Sequence, residues 1–166
     1  MGGKVRGAVA AVSRQFVAQF DAATRARRWE LFREAFPDIG ALRVVDLGGS
    51  AEFWLHAPVR PAHVDVVAQG VQARRVLPWL DVVAGDPVGH EGKYDLAVCD
   101  GLLDASRGVV DERASVAWVV RNAAPRYWVR AGSASGRQLG QWFPDAVFRR
   151  ERRAGVTVSW IAAKPR

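Results

Sequence analysis

Arg43-Val44-Val45-Asp46-Leu47-Gly48-Gly49-Ser50-Ala51-Glu52-Phe53-Trp54 decides how the rest of the chain is read. An apolar run with one acid near its end meets two adjacent glycines, and an amphipathic segment then opens. That order predicts a strand over 42–47, a tight turn, and a short helix from Ala51 to Ala57. In an open α/β sheet such a turn faces the crevice at the carboxyl ends of the strands, where small ligands bind. Glycine gives the turn backbone freedom and removes the Cβ that would hold a ligand away from the main chain.

Working outward, residues 5–20 place Val5, Val9, Val12, Phe16, Val17 and Phe20 at near-helical spacing, with Arg6, Arg14 and Gln15 between them. Asp21 and Thr24 are candidate N-caps of a second helix running to about Phe36, which Pro37-Asp38-Ile39-Gly40 ends. Downstream, strands are expected over His63–Ala68, Leu80–Ala84, Tyr94–Asp100 and Arg126–Arg130, with Val71–Pro78 a short irregular connection. A helix covers about Asp111–Ala123, and Ser135 caps another through Trp142. Ala146–Arg152 and Val156–Ala163 form a hairpin about Arg153-Ala154-Gly155. Strands that alternate with helices until a terminal antiparallel pair predict an α/β fold with a mostly parallel sheet and helices on both faces.

The 166 residues suit a single domain over 1–166, with 1–40 a helical lead-in and 41–166 the α/β core. No segment reads as a membrane span or a signal peptide, and Arg6 stands where a myristoylation motif requires Ser or Thr. Cys99 is alone, so an intrachain disulfide or a cysteine metal cluster is ruled out, and a cytoplasmic location is expected. The net charge of +7 is unevenly spread. Residues 1–36 carry seven basic and three acidic groups, residues 37–104 five and ten, and residues 105–166 twelve and four. The segment around the glycine turn is therefore acidic. The dense cluster Arg149, Arg150, Arg152 and Arg153 reads as a solvated hairpin before it reads as a nucleic-acid contact.

Asp46-Leu47-Gly48-Gly49 resembles motif I of the class I S-adenosylmethionine-dependent methyltransferases, and the element order resembles their Rossmann-like fold. Gly48-Gly49-Ser50-Ala51-Glu52-Phe53-Trp54 is also similar to a Gly-Gly-Thr-Pro-Glu-Phe-Trp variant in small actinobacterial members, whose lead-in Arg28-Trp29-Glu30-Leu31-Phe32-Arg33 fits as well. The resemblance implies a seven-stranded sheet with a C-terminal antiparallel hairpin, S-adenosylmethionine as cofactor, and N-terminal helices that close over it. It further implies that Gly48, Gly49 and Ser50 pass under the cofactor's amino-acid tail and ribose, with Asp46 or Glu52 accepting from the ammonium.

Other positions match the family less evenly. Gln69 stands where the family ends its second strand with a ribose-binding acid, so the bidentate carboxylate is missing. Asp86, with Pro87, falls where an acid accepts from the adenine amino group. Asp100-Gly101-Leu102-Leu103-Asp104-Ala105 aligns with a pattern resembling Asn-Ser-Leu-Ile-Glu-His, keeping the acid as Asp104 and replacing the His with Ala105. Asp100 and Asp104 are weak catalytic candidates, and Asp100 is also a candidate cofactor contact.

No base is required by the cofactor itself, since the sulfonium already activates its methyl group and positioning supplies much of the acceleration. His56, His63 and His90 are scattered, and no metal is expected. Most of the seven tryptophans read as core, with Trp54 and Trp142 placed to line an acceptor pocket. The reading that follows is a methyltransferase for a small-molecule substrate, with no membrane partner and with homo- or hetero-oligomers left open. A degenerate methyltransferase-fold scaffold is the first alternative. A nucleic-acid methyltransferase or binder is the less favoured one, because Asp100-Gly101-Leu102-Leu103 lacks the Pro-Pro-Tyr or Pro-Pro-Phe signature.

Overall fold

The computed structural model describes residues 22–105, 110–153 and 155–166. The amphipathic helix expected over 5–20, the cap Asp21, Ala154 of the hairpin and residues 106–109 of the loop after Asp100 lie outside the described residues. A helix, α1, covers residues 22–35. The glycine stretch is built as read, with β1 at Arg43–Leu47 and α2 at Ala51–Leu55. Then come β2 (His63–Ala68), β3 (Arg74–Leu77), β4 (Leu80–Ala84), β5 (Leu96–Asp100), α3 (Leu102–Ala105) and α4 (Val110–Ala123). The chain closes with β6 (Arg126–Ala131), α5 (Gly136–Trp142), β7 (Val147–Arg153) and β8 (Val156–Lys164).

Among the described residues the strands form one eight-stranded sheet in the order β3-β4-β2-β1-β5-β6-β8-β7. β4, β2, β1, β5 and β6 are parallel neighbours, and β3, β8 and β7 pair antiparallel. The chain moves outward from β1 to β4 and then returns to lay β5 on the other side of β1. That reversal is the topological switch point of an open α/β sheet, and the turns after β1 and β5 flank it.

Two expectations need correcting. The sheet has eight strands rather than seven, because Val71–Pro78 is not an irregular connection: Arg74–Leu77 turns back at Pro78-Trp79 and pairs with β4. Eleven residues, 69–79, separate β2 from β4 and carry a short strand in place of a crossover helix, with the apolar Val76 and Leu77 packed against the core. The strand expected from Tyr94 begins at Leu96. Asp95 is spent on the Arg43 backbone, its N–H donating to the carbonyl and its carboxylate accepting the N–H at 2.8 Å, while the Tyr94 hydroxyl turns to Asp65.

Strand alternation divides the core between two faces. Val44, Val64, Val66 and Val98 meet an aromatic layer from α1 and α2, where Trp29, Phe32, Phe36 and Trp54 gather with Trp128 of β6. Phe32 and Trp128 meet edge to face with ring centroids 5.2 Å apart. Burying each such side chain contributes roughly 1.5–3 kcal/mol. Val45, Leu47, Val67, Ala97 and Cys99 point the other way, onto Val116 and Val120 of α4 and Leu139 of α5. The Ser135 cap is built as read, as a capping box with Gln138. No helix among the described residues is long and apolar enough to cross a membrane.

Candidate cofactor site and the polar network beside it

The turn after β1 is held from three sides. The Gly48 N–H donates to the Val67 carbonyl at 2.8 Å, tying the turn to β2. Gly48 has φ of 76°, and a Cβ there would come within 3.0 Å of Leu102 in α3. Gly49 is tighter: its Cβ would lie 2.0 Å from Asp46 Oδ2. The glycine pair is therefore required first by the protein's own packing, which lets the Asp46 carboxylate fold beneath the turn.

Asp46 is buried. Its Oδ2 accepts the Trp54 indole N–H at 2.8 Å, while Oδ1 is buried with no donor among the described residues. Burial pushes the carboxyl up to about 7; the Trp54 hydrogen bond opposes that rise, and the Asp100 charge adds to it. Trp54 is itself buried on Asp46, so the expectation that it lines an acceptor pocket is corrected. Ser50 occupies the N-cap of α2 in extended conformation, yet its side chain makes no capping hydrogen bond. Glu52 sits in the first turn of α2, where its charge suits the helix dipole.

Ser50 and Glu52 line two cavities. One, of about 730 Å³, lies between α1 and α2 and touches Arg25, Trp29, Phe53 and His56. The other, of about 480 Å³, is bounded by Gly49–Glu52, Val66, Ala68, Gln72 and Arg74. Gly49, Ser50 and Glu52 are thus brought together on one cavity. Gln69, Asp86, Pro87 and Asp100 share the carboxyl-end edge of the sheet but do not line it. Gln69 is exposed in the turn after β2. Asp86 Oδ1 caps the short turn Pro87–Gly89 by accepting the Val88 N–H at 3.0 Å, and Pro87 is buried. Nothing in the sequence pattern signals Gln72 and Arg74, because the β3 hairpin that presents them is too short to show strand alternation.

Asp100 ends β5 between two guanidinium groups. Arg130 Nε donates to Oδ1 at 2.5 Å, and Arg28 Nη1 donates to Oδ2 at 3.2 Å. Arg28 also reaches Glu151 Oε1 at 3.0 Å, and Ser159 donates its hydroxyl to Glu151 Oε2. The network thus joins α1, β5, β6, β7 and β8. Sequence reading missed Arg28, Arg130, Glu151 and Ser159. The available signals were Arg28 beside the aromatic stripe of α1, and Glu151 as the lone acid in Arg149-Arg150-Glu151-Arg152-Arg153.

Asp104, the other weak catalytic candidate, accepts the Gly132 and Ser133 backbone N–H groups at 2.8 Å each and the Ser133 hydroxyl at 2.7 Å. Burial opposes its charge, but these hydrogen bonds with the nearby Arg130 outweigh it and hold the carboxyl below its ordinary value. Asp104 thereby pins α3 to the loop after β6.

No protein-family model and no curated protein matches the chain. Solved structures do. The chain is similar to the N-methyltransferase NodS from Bradyrhizobium japonicum WM9, at TM-score 0.60 and 9% identity over 86% of this chain and 96% of that one. It is similar to CalS10, an amino pentose methyltransferase from Micromonospora echinaspora solved with S-adenosylmethionine bound, at TM-score 0.62 and 14% identity over 84% and 89%. A 1,6-didemethyltoxoflavin N1-methyltransferase from Burkholderia thailandensis, solved with 1,6-didemethyltoxoflavin and S-adenosylhomocysteine bound, matches at TM-score 0.59 and 13% identity over 95% of this chain and 88% of that one. With the switch point beside β1 and the antiparallel β6-β8-β7 edge, these likenesses identify the architecture: the chain has the Rossmann-like fold of the class I methyltransferases.

Proposed function

We propose that the chain binds S-adenosylmethionine at the turn after β1 and transfers its methyl group to a small molecule. The observation that carries the reading is the pairing of the glycine turn at the sheet's switch point with a cavity of about 480 Å³ lined by Gly49, Ser50, Glu52 and Arg74. The residues present suit the cofactor. Among the described residues Asp46 Oδ1 is a buried acceptor with no donor, which an ammonium or its bound water would supply. Ser50 keeps its hydroxyl off the helix cap, and Arg74 offers a cation to a carboxylate. The cofactor supplies an electrophilic methyl on a sulfonium. The protein's part is to hold and orient the two reactants and exclude water.

A specific observation favours a second reading. Asp100 is held by two arginines and Asp104 by a backbone clasp, so neither weak catalytic candidate is disposed as a base, and Gln69 replaces the ribose acid. A scaffold that keeps the fold without turnover fits these facts. Isothermal titration with S-adenosylmethionine and S-adenosylhomocysteine separates the readings. Micromolar binding that survives 0.5 M salt and weakens at least tenfold in Glu52→Gln supports the cofactor site. Silence from folded protein at millimolar ligand overturns it and leaves the scaffold.

A further inference from the structure

The end of the sheet away from the glycine turn holds a second cluster of polar side chains. His63 opens β2, Asp65 follows two residues later, and Asp81 is the second residue of β4. In the parallel β2–β4 ladder Asp65 and Asp81 are direct register partners. Val64 and Val66 point to the α1–α2 layer, so strand alternation puts His63 and Asp65 together on the opposite face. Two carboxylates side by side on neighbouring strands repel one another unless a cation joins them.

We propose that His63, Asp65 and Asp81 bind a divalent cation of the zinc class, one imidazole nitrogen and two carboxylate oxygens from adjacent strands converging on a single point. The donor atoms lie within 4.8 Å of one another. His63 Nε2 is 2.9 Å from Asp65 Oδ1 and 3.6 Å from Asp81 Oδ2. Metal–ligand bonds of roughly 2.0–2.2 Å in a tetrahedron set donor atoms roughly 3.3–3.6 Å apart. The His63–Asp81 separation is already at that spacing, the His63–Asp65 separation would open by a few tenths of an ångström, and the two carboxylate oxygens lie within 4.8 Å of each other.

The oxygens facing away from His63 are also occupied. Asp65 Oδ2 accepts the Tyr94 hydroxyl at 2.9 Å, and the Tyr94 oxygen lies 2.9 Å from His90 Nε2. Asp81 Oδ1 accepts from Arg75 Nε at 3.1 Å. Each carboxylate is thus oriented by an outer donor that leaves its inner oxygen toward the common point, as outer-shell partners do around bound metals. The three side chains are each between 14% and 24% exposed, leaving an opening through which water can complete the coordination. Imidazole with two carboxylates suits zinc, cobalt or manganese, and no thiolate is near to favour a softer ion. Such an ion would clamp β2 to β4, the two strands whose far ends lead into Gln69 and Asp86.

The test needs only the purified chain and does not depend on cofactor binding. Titration with zinc chloride in a non-chelating buffer is expected to show one site of micromolar Kd or tighter, together with a rise in Tm that a chelator reverses. His63→Ala and Asp81→Asn should each weaken binding at least tenfold, whereas His56→Ala and Cys99→Ser leave it unchanged. X-ray absorption on the zinc-loaded wild-type chain should show only nitrogen and oxygen neighbours, with a single imidazole. That spectrum decides the matter even where a variant fails to fold. No heat and no Tm shift at millimolar zinc would overturn the proposal, leaving a histidine ring held between two carboxylates by hydrogen bonding alone. Binding undiminished in both site variants, or a spectrum with sulfur or two imidazoles, would overturn it equally by placing the ion elsewhere.

Discussion

Asp46 and Asp100 are the same residue type near the ends of neighbouring parallel strands, and their surroundings differ in kind. Asp46 and the Val98 of β5 are register partners, and both acids lie on the face that α1 and α2 cover. Among the described residues Asp46 has one neutral donor, the Trp54 indole, and an oxygen left over. Asp100 has two guanidinium groups. The first is a buried carboxyl that burial drives toward neutrality, and the second is a charge kept in place by charges. Position at a strand end therefore does not fix what an acid can do. Its partners fix that, and those of Asp100 come from far along the chain.

The widest break in this comparison is expected at the glycines that follow each acid. Gly49→Ala would put its Cβ 2.0 Å from Asp46 Oδ2, so the carboxylate must leave its place and the Trp54 bond. Overpacking and the lost buried hydrogen bond together should cost about 3 kcal/mol. Gly101, after Asp100, has φ of 96° and nothing among the described residues within 4 Å of an added Cβ. Gly101→Ala should cost only about 1 kcal/mol, from the left-handed backbone alone. Urea unfolding of the two variants measures both. Equal losses would mean that Asp46 is not locked beneath its turn.

A smaller effect is expected at Asp100. Arg130→Ala removes the shorter of its two ion pairs and leaves the carboxylate to Arg28. The pair is partly exposed, so the loss should be about 2 kcal/mol rather than the larger cost of orphaning a fully buried charge. In an Asp100→Ala background the same change should cost less than half as much. A double-mutant cycle with no coupling would show that the network is ornamental to stability.

The architecture was legible because its signals are local. Strand alternation, the glycine pair, the Ser135 cap and the hairpin each lie within a few residues, and all were built as read. β3 escaped because Arg74-Arg75-Val76-Leu77 is a short edge strand with a bulge, too brief for alternation to show. The site was only half legible. Gly48 and Gly49 announce a turn, but the partners that tie up Asp100 stand 72 and 30 residues away, and those of Asp104 stand 28 and 29 residues away. Asp65 and Asp81 become neighbours only through the β2–β4 register. Long-range pairing of polar groups leaves no period in the sequence.

The sharpest form of the comparison is its dependence on pH. The Asp46 carboxyl, raised by burial to about 7, takes up a proton in the folded state well before it does so in the unfolded chain, where its pKa is near 3.9. Between those values the native state binds more protons, so this residue's contribution to stability falls as pH rises and is fully lost above the folded value. From pH 6 to pH 8 the fall should amount to about 1.4 kcal/mol. Asp46→Asn cannot titrate, keeps an oxygen for the Trp54 indole, and should flatten that part of the stability curve. Denaturant midpoints of the two proteins at pH 6, 7 and 8 provide the measurement. A wild-type curve parallel to the Asn variant would mean that Asp46 stays charged beneath its glycines and has found a partner for its second oxygen. If a cofactor ammonium is that partner, saturating S-adenosylmethionine should make the two curves parallel, and binding near pH 7 should release a proton from Asp46.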